Sequence, residues 1–423
     1  MLSVPLSSLP PDFRARALRW AAQFPHCAYL ESNDLAYPEG PFRRLLGVAE
    51  DAPGAPRSLT ELSSWLAATD GAAPRLGFVT YDVKNELEDL RSANPSGLAW
   101  PALHFFQPHT WLHWRADHLE IHGRTAGVLA AILAMAVPTL PPPAVPIFTP
   151  RMPKAEYLTA VQAVREDILN GEVYELNLCQ EFYAENVRID PVDVFLRLNA
   201  ASPAPFAGFV RHHHHYLLCA SPERFLARQQ ARLVSQPIKG TIRRGATPPE
   251  DEQQRQTLLH DEKERAENLM IVDLVRNDLA RVARTGSVQV PELFGLYPFR
   301  HVWQMISTVT AEARPEIGLA DVLRAAFPMG SMTGAPKIRA MQLIEHYERA
   351  RRGLYSGSIG YVDPDGGFDF NVVIRSLQYR QDTGHLSFQV GSAITYDSDP
   401  EREYAECLLK ARAILEVLDA VVR

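Results

Sequence analysis

Short apolar runs that are typical of β-strands occur in two groups along this chain. Four lie between residues 174 and 238 (174–183, 206–211, 216–220 and 231–238), and three lie between 355 and 395 (355–362, 368–379 and 385–395). A fold of alternating β-α-β units places a helix after nearly every strand, whereas most of these runs follow one another directly. The pattern therefore predicts an α+β fold with large, mostly antiparallel sheets.

Helical periodicity accounts for much of the remaining chain. Apolar residues at helical spacing predict an amphipathic helix at 156–170, closed by Gly171, and a final helix at 401–421 with an apolar stripe from Tyr404 to Leu418. Further helices are predicted at 59–68, 250–282 and 334–347.

A proline-rich segment interrupts these patterns. Five of the ten residues from 137 to 146 are proline, which excludes a helix or a central strand and predicts a stiff connector. The boundary predicted there divides the chain into an N-terminal region, residues 1–140, and a larger C-terminal region, residues 150–423.

Charge and composition exclude several classes of protein. The 43 basic and 50 acidic residues give a net charge of −7, and no basic stripe of the kind that nucleic-acid binding requires is present. The longest apolar stretch, residues 126–137, is too short to cross a bilayer, and the first residues lack a signal-peptide pattern. The four cysteines are far apart, as in proteins of the reducing cytosol. We therefore expect a cytoplasmic protein that binds neither nucleic acid nor membranes.

Two pairs of glutamates lie on two of the predicted helices. Glu264 and Glu267 are three residues apart, and so are Glu403 and Glu406, a spacing that puts each pair on one helical face. If the helices meet, four carboxylates converge and require a cation, and an all-oxygen donor set suits Mg²⁺. The alternative is two solvated faces with ordinary ion pairs along each helix, and spacing alone leaves both open.

A lysine and a glutamate stand at the ends of predicted strands. Lys239 lies in the segment Gln236-Pro-Ile-Lys-Gly-Thr241, and a buried lysine loses proton affinity and becomes a nucleophile or base near neutral pH. The alternative is an edge-strand lysine that opposes aggregation. Glu223, just after the run 216–220, is a candidate general acid, or else a turn residue or a salt-bridge partner.

A series of motifs runs through the C-terminal region. They are Ser221-Pro-Glu-Arg-Phe-Leu226, Pro237-Ile-Lys-Gly-Thr241, Asp261-Glu-Lys-Glu-Arg-Ala-Glu-Asn268, Asp273-Leu-Val-Arg-Asn-Asp278, His301-Val-Trp-Gln-Met-Ile-Ser307, Pro328-Met-Gly-Ser-Met-Thr-Gly-Ala-Pro-Lys337, Tyr355-Ser-Gly-Ser-Ile-Gly-Tyr361, Val373-Ile-Arg-Ser376 and Gly391-Ser-Ala-Ile-Thr395, followed by Glu403 to Lys410. In this order and spacing, over about residues 150–423, the chain resembles the chorismate-utilising enzymes.

The resemblance implies a layered α/β sandwich of two large, facing, mostly antiparallel sheets with helices outside. The N-terminal 140 residues would complete this sandwich, and residues 150–423 would form the chorismate-binding catalytic domain. The ring carboxylate of chorismate would sit on Mg²⁺ held by Glu267 and Glu406, while Glu264 and Glu403 act mainly through metal-bound water.

The resemblance also implies the remaining contacts to chorismate. Glu223 would protonate the departing C4 hydroxyl, and His301 and Thr333 would line the ring. The second carboxylate would meet side chains and backbone N–H groups of Arg375, Tyr355, Lys410, Gly391, Ser392 and Ala393. Ser392 and Ala393 replace an alanine-glycine pair that is common in the family, and Glu175 stands where relatives often have glutamine.

Lys239 distinguishes between members of the family. Members that aminate chorismate at C4 carry lysine in this motif, whereas anthranilate synthases usually carry alanine. The lysine would add at C2 and expel the C4 hydroxyl, and ammonia would then attack C4 and expel the lysine, so that two displacements replace one difficult step. The resemblance therefore implies formation of 4-amino-4-deoxychorismate, a precursor of p-aminobenzoate and folate.

Several alternatives are weighed against this function. The nearest is anthranilate formation, and isochorismate or salicylate formation fits the lysine motif less well. A non-catalytic regulatory subunit that binds chorismate or tryptophan has no need of Lys239, Glu223 and both glutamate pairs together. A nucleotide-binding enzyme is disfavoured because the chain has no phosphate-binding glycine motif after a strand.

The expected partners follow from what the motifs lack. No Gly-x-Cys-x-Gly nucleophile turn is present, so ammonia is expected from a separate glutamine amidotransferase subunit, and a separate aminodeoxychorismate lyase is expected to act downstream. The stretch Tyr29-Leu-Glu-Ser32 is similar to part of a tryptophan pocket in many members, but it is too short to predict tryptophan binding. Four consecutive histidines, His212 to His215, are interpreted as a solvated hairpin loop rather than a metal site.

Overall fold

The computed structural model of the chain describes residues 1–68, 72–137 and 145–423. Its strands are β1 (Leu2–Pro5), β2 (His26–Glu31), β3 (Leu45–Ala49), β4 (Arg75–Val79), β5 (Leu103–Phe106), β6 (Thr110–Trp114), β7 (His118–Gly123), β8 (Ile147–Pro150), β9 (Glu175–Ala184), β10 (Phe206–His212), β11 (His215–Ser221), β12 (Arg224–Gln229), β13 (Arg232–Gln236), β14 (Ile238–Arg243), β15 (Gln289–Pro298), β16 (Val302–Glu312), β17 (Gly334–Ala335), β18 (Ser358–Val362), β19 (Phe368–Asn371), β20 (Ser376–Arg380), β21 (His385–Ile394) and β22 (Val421–Val422).

The α-helices lie in about half of the connections between these strands. They are α1 (Phe13–Ala21), α2 (Leu59–Ala68), α3 (Lys84–Leu87), α4 (Val128–Ala134), α5 (Lys154–Leu169), α6 (Pro191–Ala201), α7 (Pro248–His260), α8 (Glu262–Ala280), α9 (Leu319–Ala326), α10 (Lys337–Tyr347) and α11 (Pro400–Val417). Short 3₁₀ helices lie at Leu6–Ser8, Tyr81–Val83 and Gly330–Met332.

Within the described ranges, the strands form two sheets, of 13 and nine strands. The larger has the order β1-β7-β6-β3-β2-β10-β11-β20-β21-β9-β8-β22, with β17 added beside β9. The smaller has the order β14-β16-β13-β12-β19-β18-β4-β5, with β15 added beside β16. The pairs are antiparallel except for β8 and β22, so the predicted fold class is confirmed.

Three apolar cores define the layers. One lies between the sheets and joins residues such as Leu30 and Phe206 of the larger sheet to Phe78 and Ile359 of the smaller sheet. The sheets approach closely here, because a Cβ added at Gly208 would overlap the Ile359 side chain. A second core lies between the larger sheet and helices α1, α5, α6, α10 and α11, and a third lies between the smaller sheet and helices α8 and α9. The order helix, sheet, sheet, helix is the sandwich that the resemblance implied.

Strands from the first 140 residues enter both sheets. In the larger sheet β2 pairs with β10, and in the smaller sheet β4 pairs with β18. The domain boundary predicted in the proline-rich segment falls on residues 138–144, which lie outside the described residues, and the division at that point stays a prediction.

The structure differs from the predicted elements at two places. The helix predicted over 250–282 is two helices, because Asp261 accepts a hydrogen bond from the Glu264 N–H at 3.0 Å and begins a new helix there. The run 368–379 is also two strands, β19 in the smaller sheet and β20 in the larger sheet. The chain crosses from one sheet to the other between them, and Arg375 adopts a left-handed φ of 52° in the crossing.

Two further expectations concern the whole chain. A search of the described helices finds none that is both long enough and apolar enough to cross a membrane. All four cysteines, Cys27, Cys179, Cys219 and Cys407, are buried free thiols.

Candidate active site

Lys239 lies where the two sheets meet. It belongs to β14 at the end of the smaller sheet, beside a register shift between Ile238 and Thr241. Its Nζ donates to Oε1 of Glu175 at 2.6 Å, and Glu175 is the first residue of β9 in the larger sheet. The two side chains are 10% and 1% exposed, so the ion pair joins the sheets in a nearly dry environment.

The protonation of Lys239 differs from the expectation drawn from its sequence context. Burial by itself lowers the pKa of this lysine, as predicted, but the carboxylates of Glu175 and Glu267 outweigh burial and raise the pKa above its ordinary value. The expectation of a lysine with weakened proton affinity is therefore wrong for this state of the protein. The ammonium form is favoured at rest, because two acidic partners from distant segments surround it.

Asn268 and the strand bulge hold this lysine in place. The Asn268 amide donates to the backbone carbonyl of Lys239 at 3.3 Å, and Ser307 Oγ donates to the other end of the same amide at 2.6 Å. Gly240 has a φ of 96°, and a Cβ there would lie 3.3 Å from Oε2 of Glu264. The glycine therefore lets helix α8 approach the strand that carries the lysine.

Glu223 lies on the buried side of the same region. It follows β11, is 4% exposed, and accepts a hydrogen bond from Ser331 Oγ at 2.7 Å. Burial raises the pKa of Glu223 to about 7, although Ser331, the backbone of Ile238 and the charge of Lys239 oppose the rise. A carboxyl group with this pKa is half protonated near neutrality, which suits a general acid.

The two glutamate pairs converge from helices α8 and α11. Burial raises the pKa of Glu264, and both Asp261 and Glu406 add to the rise. Burial also raises the pKa of Glu267 to about 7, with Lys239 opposing and Glu175 and Glu264 adding to the rise. The pKa of Lys263 is raised by Glu267 and Glu403 against the effect of burial. The carboxylates of the two helices are therefore close enough to shift the pKa values of the same groups.

The apolar stripe of α11 is rotated from the predicted one. The buried residues of this helix are Glu403, Cys407, Ala411 and Ile414, while Tyr404, Leu408 and Leu415 of the predicted stripe are partly buried. Glu403 therefore points inward rather than into solvent, which contradicts the interpretation of this pair as a wholly solvated face.

The donor set fits a hard divalent cation. It consists of carboxylate oxygens, which Mg²⁺ prefers as ligands. Burial and neighbouring carboxylates raise the pKa of Glu264 and Glu267, whereas Lys410 holds the pKa of Glu406 below its usual value. In the part of the chain that the structure describes, no three of the four carboxylates have oxygens within 4.8 Å of one another. The described residues therefore show no preformed cluster of three carboxylates, and Mg²⁺ binding by these glutamates stays a prediction.

Arg375 offers a positive charge at the crossing between the sheets. Burial lowers its pKa, while Tyr355 and Glu406 oppose the fall, and within the described residues its guanidinium forms no ion pair. A partly buried guanidinium of this kind suits bidentate contact with a carboxylate. Lys410 pairs with Glu406, the same carboxylate that acts on Arg375. Its Nζ contacts Glu406 Oε1 at 2.7 Å and donates to the carbonyl of Gly391 at 2.9 Å.

The backbone of Gly391, Ser392 and Ala393 has a free edge. All three pair with β9 on one side, but β20 pairs with β21 only as far as Phe388. Beyond Phe388, the second edge of β21 therefore has no strand partner among the described residues. Backbone N–H groups on that edge are able to bind an anion beside Arg375.

A buried arginine that the sequence analysis did not single out holds the loop that carries Thr333. Arg352 pairs with Glu348 at 2.6 Å and donates to the carbonyls of Met332 and Asn177 at 2.6 and 2.9 Å. Thr333 is buried, and its hydroxyl donates to the Met329 carbonyl at 3.2 Å. Arg352 had no local signal in the sequence, because its partners come from separate segments.

Tyr355 and His301, both predicted to contact the substrate, differ in their exposure. Tyr355 is buried, with its hydroxyl 3.8 Å from Cys179 Sγ and within the electrostatic reach of Arg375. His301 is exposed in the turn before β16, and its backbone carbonyl accepts from the N–H of Arg244. The side chain of His301 is therefore exposed in this structure, and its contact with the ring stays a prediction. Gln304, on the strand that follows, is buried with an unpartnered Oε1.

The stretch related to a tryptophan pocket is occupied by internal contacts. Glu31 accepts hydrogen bonds from Arg44 at 2.7 Å and from the Asn33 N–H at 2.8 Å, and it also contacts the Tyr29 hydroxyl.

A family model described as chorismate binding enzyme matches residues 26–416. The chain belongs to the chorismate-binding enzyme family. Among curated family members, it is 45% identical over 269 residues to aminodeoxychorismate synthase component 1 of Klebsiella aerogenes, a match that covers 64% of this chain and 59% of that protein. It is 43% identical to the protein of the same name from Escherichia coli K12, with 63% and 58% covered. The chain thus spans less than two thirds of the length of these relatives.

Solved structures of the family agree in fold. The chain matches the crystal structure of anthranilate synthase component I from Streptococcus pneumoniae with a TM-score of 0.74 and 27% identity, covering 92% of this chain and 89% of that one. It matches the menaquinone-specific isochorismate synthase of Escherichia coli with a TM-score of 0.78 and 16% identity, covering 99% and 94%.

Proposed function

We propose that this chain catalyses the Mg²⁺-dependent amination of chorismate at C4, as the component 1 of an aminodeoxychorismate synthase. The observation that carries the proposal is the buried Lys239 amine between Glu175 and Glu267, in the cleft that also contains Glu223. The relatives named aminodeoxychorismate synthase component 1 support it, since they are 43–45% identical, and those named anthranilate synthase component 1 are 38–40% identical.

Chorismate carries two carboxylates, and the site offers a distinct contact for each. Arg375, Lys410 and the free edge of β21 supply donors for one carboxylate. The glutamates of α8 and α11 would hold Mg²⁺, which neutralises and orients the ring carboxylate when bound. Contacts to both carboxylates would orient the ring toward Lys239.

The covalent route consists of two displacements. The Lys239 amine forms a bond to C2, the two ring double bonds shift, and the C4–O bond breaks. Glu223 gives its proton to the leaving hydroxyl, which departs as water. Ammonia then bonds to C4, the double bonds shift back, and the C2–N bond to Lys239 breaks. Lys239 must be neutral to attack, so the carboxylates that raise its pKa make the reactive form a minor species.

Free ammonia is the nitrogen donor that the chain itself uses in this proposal. In a complete enzyme we expect a separate glutamine amidotransferase subunit to deliver it, and a separate lyase to convert the product to p-aminobenzoate. The component 1 name of the relatives supports a partner component.

The test is product identification by mass spectrometry. The purified chain is incubated with chorismate, Mg²⁺ and ammonium at mildly alkaline pH, with EDTA in a parallel reaction. We expect an aminated product that retains the enolpyruvyl group, that is absent with EDTA, and that added lyase converts to p-aminobenzoate.

Two variants make the test specific. Lys239→Ala should lose C4 amination, whereas Lys154→Ala, a matched change at an exposed lysine paired with Glu401, should keep it. Full C4 amination by Lys239→Ala would refute the covalent role. Anthranilate and pyruvate from the unaltered chain would favour the second candidate, anthranilate synthase component I, whose structural relative supports it.

A further inference from the structure

Three histidines from three different strands meet at the end of the sandwich. His26 begins β2 and His212 ends β10, and the two are direct partners in the ladder of the larger sheet. His104 comes from β5, in the smaller sheet. One nitrogen of each ring lies within 4.8 Å of the corresponding nitrogens of the other two, so the cluster bridges the two sheets.

Each of the three rings has a buried nitrogen that lacks a partner among the described residues. Within the described residues, Nδ1 of His26, Nε2 of His104 and Nδ1 of His212 accept or donate no hydrogen bond. His26 and His104 are only 4% and 7% exposed. Buried polar atoms normally find a partner, so three orphaned nitrogens at one point indicate a missing partner rather than ordinary packing.

The rings are in the chemical form that binds a metal. Burial lowers the pKa of His26 to about 4, of His104 to about 3 and of His212 to about 2, and the neighbouring imidazoles add to the effect. Each ring is therefore neutral at pH 7 and retains a lone pair. The other charged groups that act on His26 are Asp51 and Arg211, and the Arg211 guanidinium is already bound to backbone carbonyls of Ala22 and His213.

The cluster is remote from the candidate active site. Phe206, at the other end of β10, is paired with Ser221, two residues before Glu223. Six residue steps separate Phe206 from His212, which is roughly 20 Å along a strand at about 3.4 Å per residue. The histidines therefore lie at the opposite end of this hairpin from the general acid.

We propose that His26, His104 and His212 bind one borderline transition-metal ion such as Zn²⁺, which fastens the two sheets together. Imidazole nitrogens suit Zn²⁺ and similar ions rather than Mg²⁺ or Ca²⁺. Nitrogens around tetrahedral Zn²⁺ at 2.0–2.1 Å are roughly 3.4 Å apart, so the rings of His26 and His104, which are stacked here with centroids 5.0 Å apart, must turn toward a common point when the ion binds.

The hairpin supplies a fourth ligand. The exposed ring of His213 has its centroid 4.7 Å from the centroids of both His26 and His212. His213 is in the turn of the β10–β11 hairpin, where its φ is 53°. A site with four imidazoles is closed and structural, which fits its distance from the reacting groups.

The test uses metal-free protein that is first saturated with Mg²⁺, so that the glutamates do not take up zinc, and is then titrated with Zn²⁺. We expect one Zn²⁺ per chain by competition with a chromophoric chelator, and a rise in Tm on binding. Co²⁺ in place of Zn²⁺ should give the visible absorption bands of a tetrahedral nitrogen site.

Two variants separate a built site from adventitious binding. His104→Phe keeps an aromatic ring beside Phe78 and Phe106 but removes a ligand, and it should lower the affinity at least about tenfold and abolish the Co²⁺ bands. His214→Ala removes an exposed histidine of the same turn and should change neither. Unchanged zinc uptake in His104→Phe, loss of uptake in His214→Ala, or no uptake by the unaltered chain would each overturn the proposal.

Discussion

Replacing Glu175 by glutamine should move the reactivity of Lys239 to lower pH. The carboxylate lies 2.6 Å from the lysine Nζ, and the two side chains are 10% and 1% exposed, so solvent screens the pair weakly. An opposite charge at close range shifts a pKa by about 1–3 units, and a buried direct contact supports a shift of about 2 units. At 1.36 kcal/mol per unit this is about 2.7 kcal/mol. Glutamine keeps the size of the side chain and an oxygen that accepts the same hydrogen bond.

The assay isolates the first covalent step. Without ammonia, the lysine adduct should accumulate, and intact-protein mass spectrometry measures it as a gain equal to chorismate less one water. Its rate of formation is followed against pH at saturating Mg²⁺. For Glu175→Gln we expect the limb that rises with pH to shift down by about 2 units, because the neutral amine is then more abundant at every pH below its pKa.

The controls define what would refute this reasoning. Glu181→Gln alters another buried carboxylate of the same strand, one paired with Arg151 at 2.9 Å, and should leave the pH profile unchanged. Superimposable profiles for Glu175→Gln and the unaltered chain would show that Glu175 does not set the proton affinity of Lys239. A slower adduct at every pH would show that the carboxylate is itself needed to take the lysine proton.

Three further substitutions test the surrounding structure. Glu223→Gln should lower the rate of C4 amination by about 10²–10⁴-fold. It should also remove the decline in rate that the unaltered enzyme should show as pH rises through about 7, the pKa of this acid. A decline that persists in the variant would assign the decline to another group. Gly240→Ala introduces a Cβ 3.3 Å from Glu264 at a φ of 96° and should lower the free energy of unfolding in urea by about 1–2 kcal/mol, and an unchanged value would show that the strand bulge relaxes freely. Arg352→Met leaves Glu348 buried without its cation and should cost about 3–5 kcal/mol in the same measurement, whereas a cost near zero would mean that the carboxyl is protonated or hydrated.

The sequence predicted the elements well where the pattern is local. The helix predicted over 156–170 is α5 (Lys154–Leu169), and the strands at 206–211 and 216–220 are β10 and β11. The run 368–379 was predicted as one strand because its apolar pattern is continuous. The break at Arg375 depends on which sheet each half pairs with, and that is a property of distant strands.

The site was predictable in composition but not in electrostatics. The motifs named Lys239, Glu223 and both glutamate pairs, and the structure brings the lysine and the glutamates of α8 together. Burial of Lys239 was one of two alternatives that the sequence left open, and because its partner Glu175 lies 64 residues away, the sign of the pKa shift could not be predicted. His301 was chosen from a motif, and its exposure in the turn before β16 had no signal in the sequence.

The pairing of β2 with β10 and of β4 with β18 has a consequence for any shortened form of this protein. A fragment that starts near residue 150 would retain Lys239 and all four glutamates, yet both of its sheets would end in bare edges at β10 and β18. Unpaired N–H and C=O groups on a flat edge are templates for joining another chain. The apolar faces of Phe206 and Ile359 would also lose their cover. Such a fragment would self-associate rather than fold as a minimal enzyme. The early strands therefore protect the sheet edges of the C-terminal region from pairing with another chain.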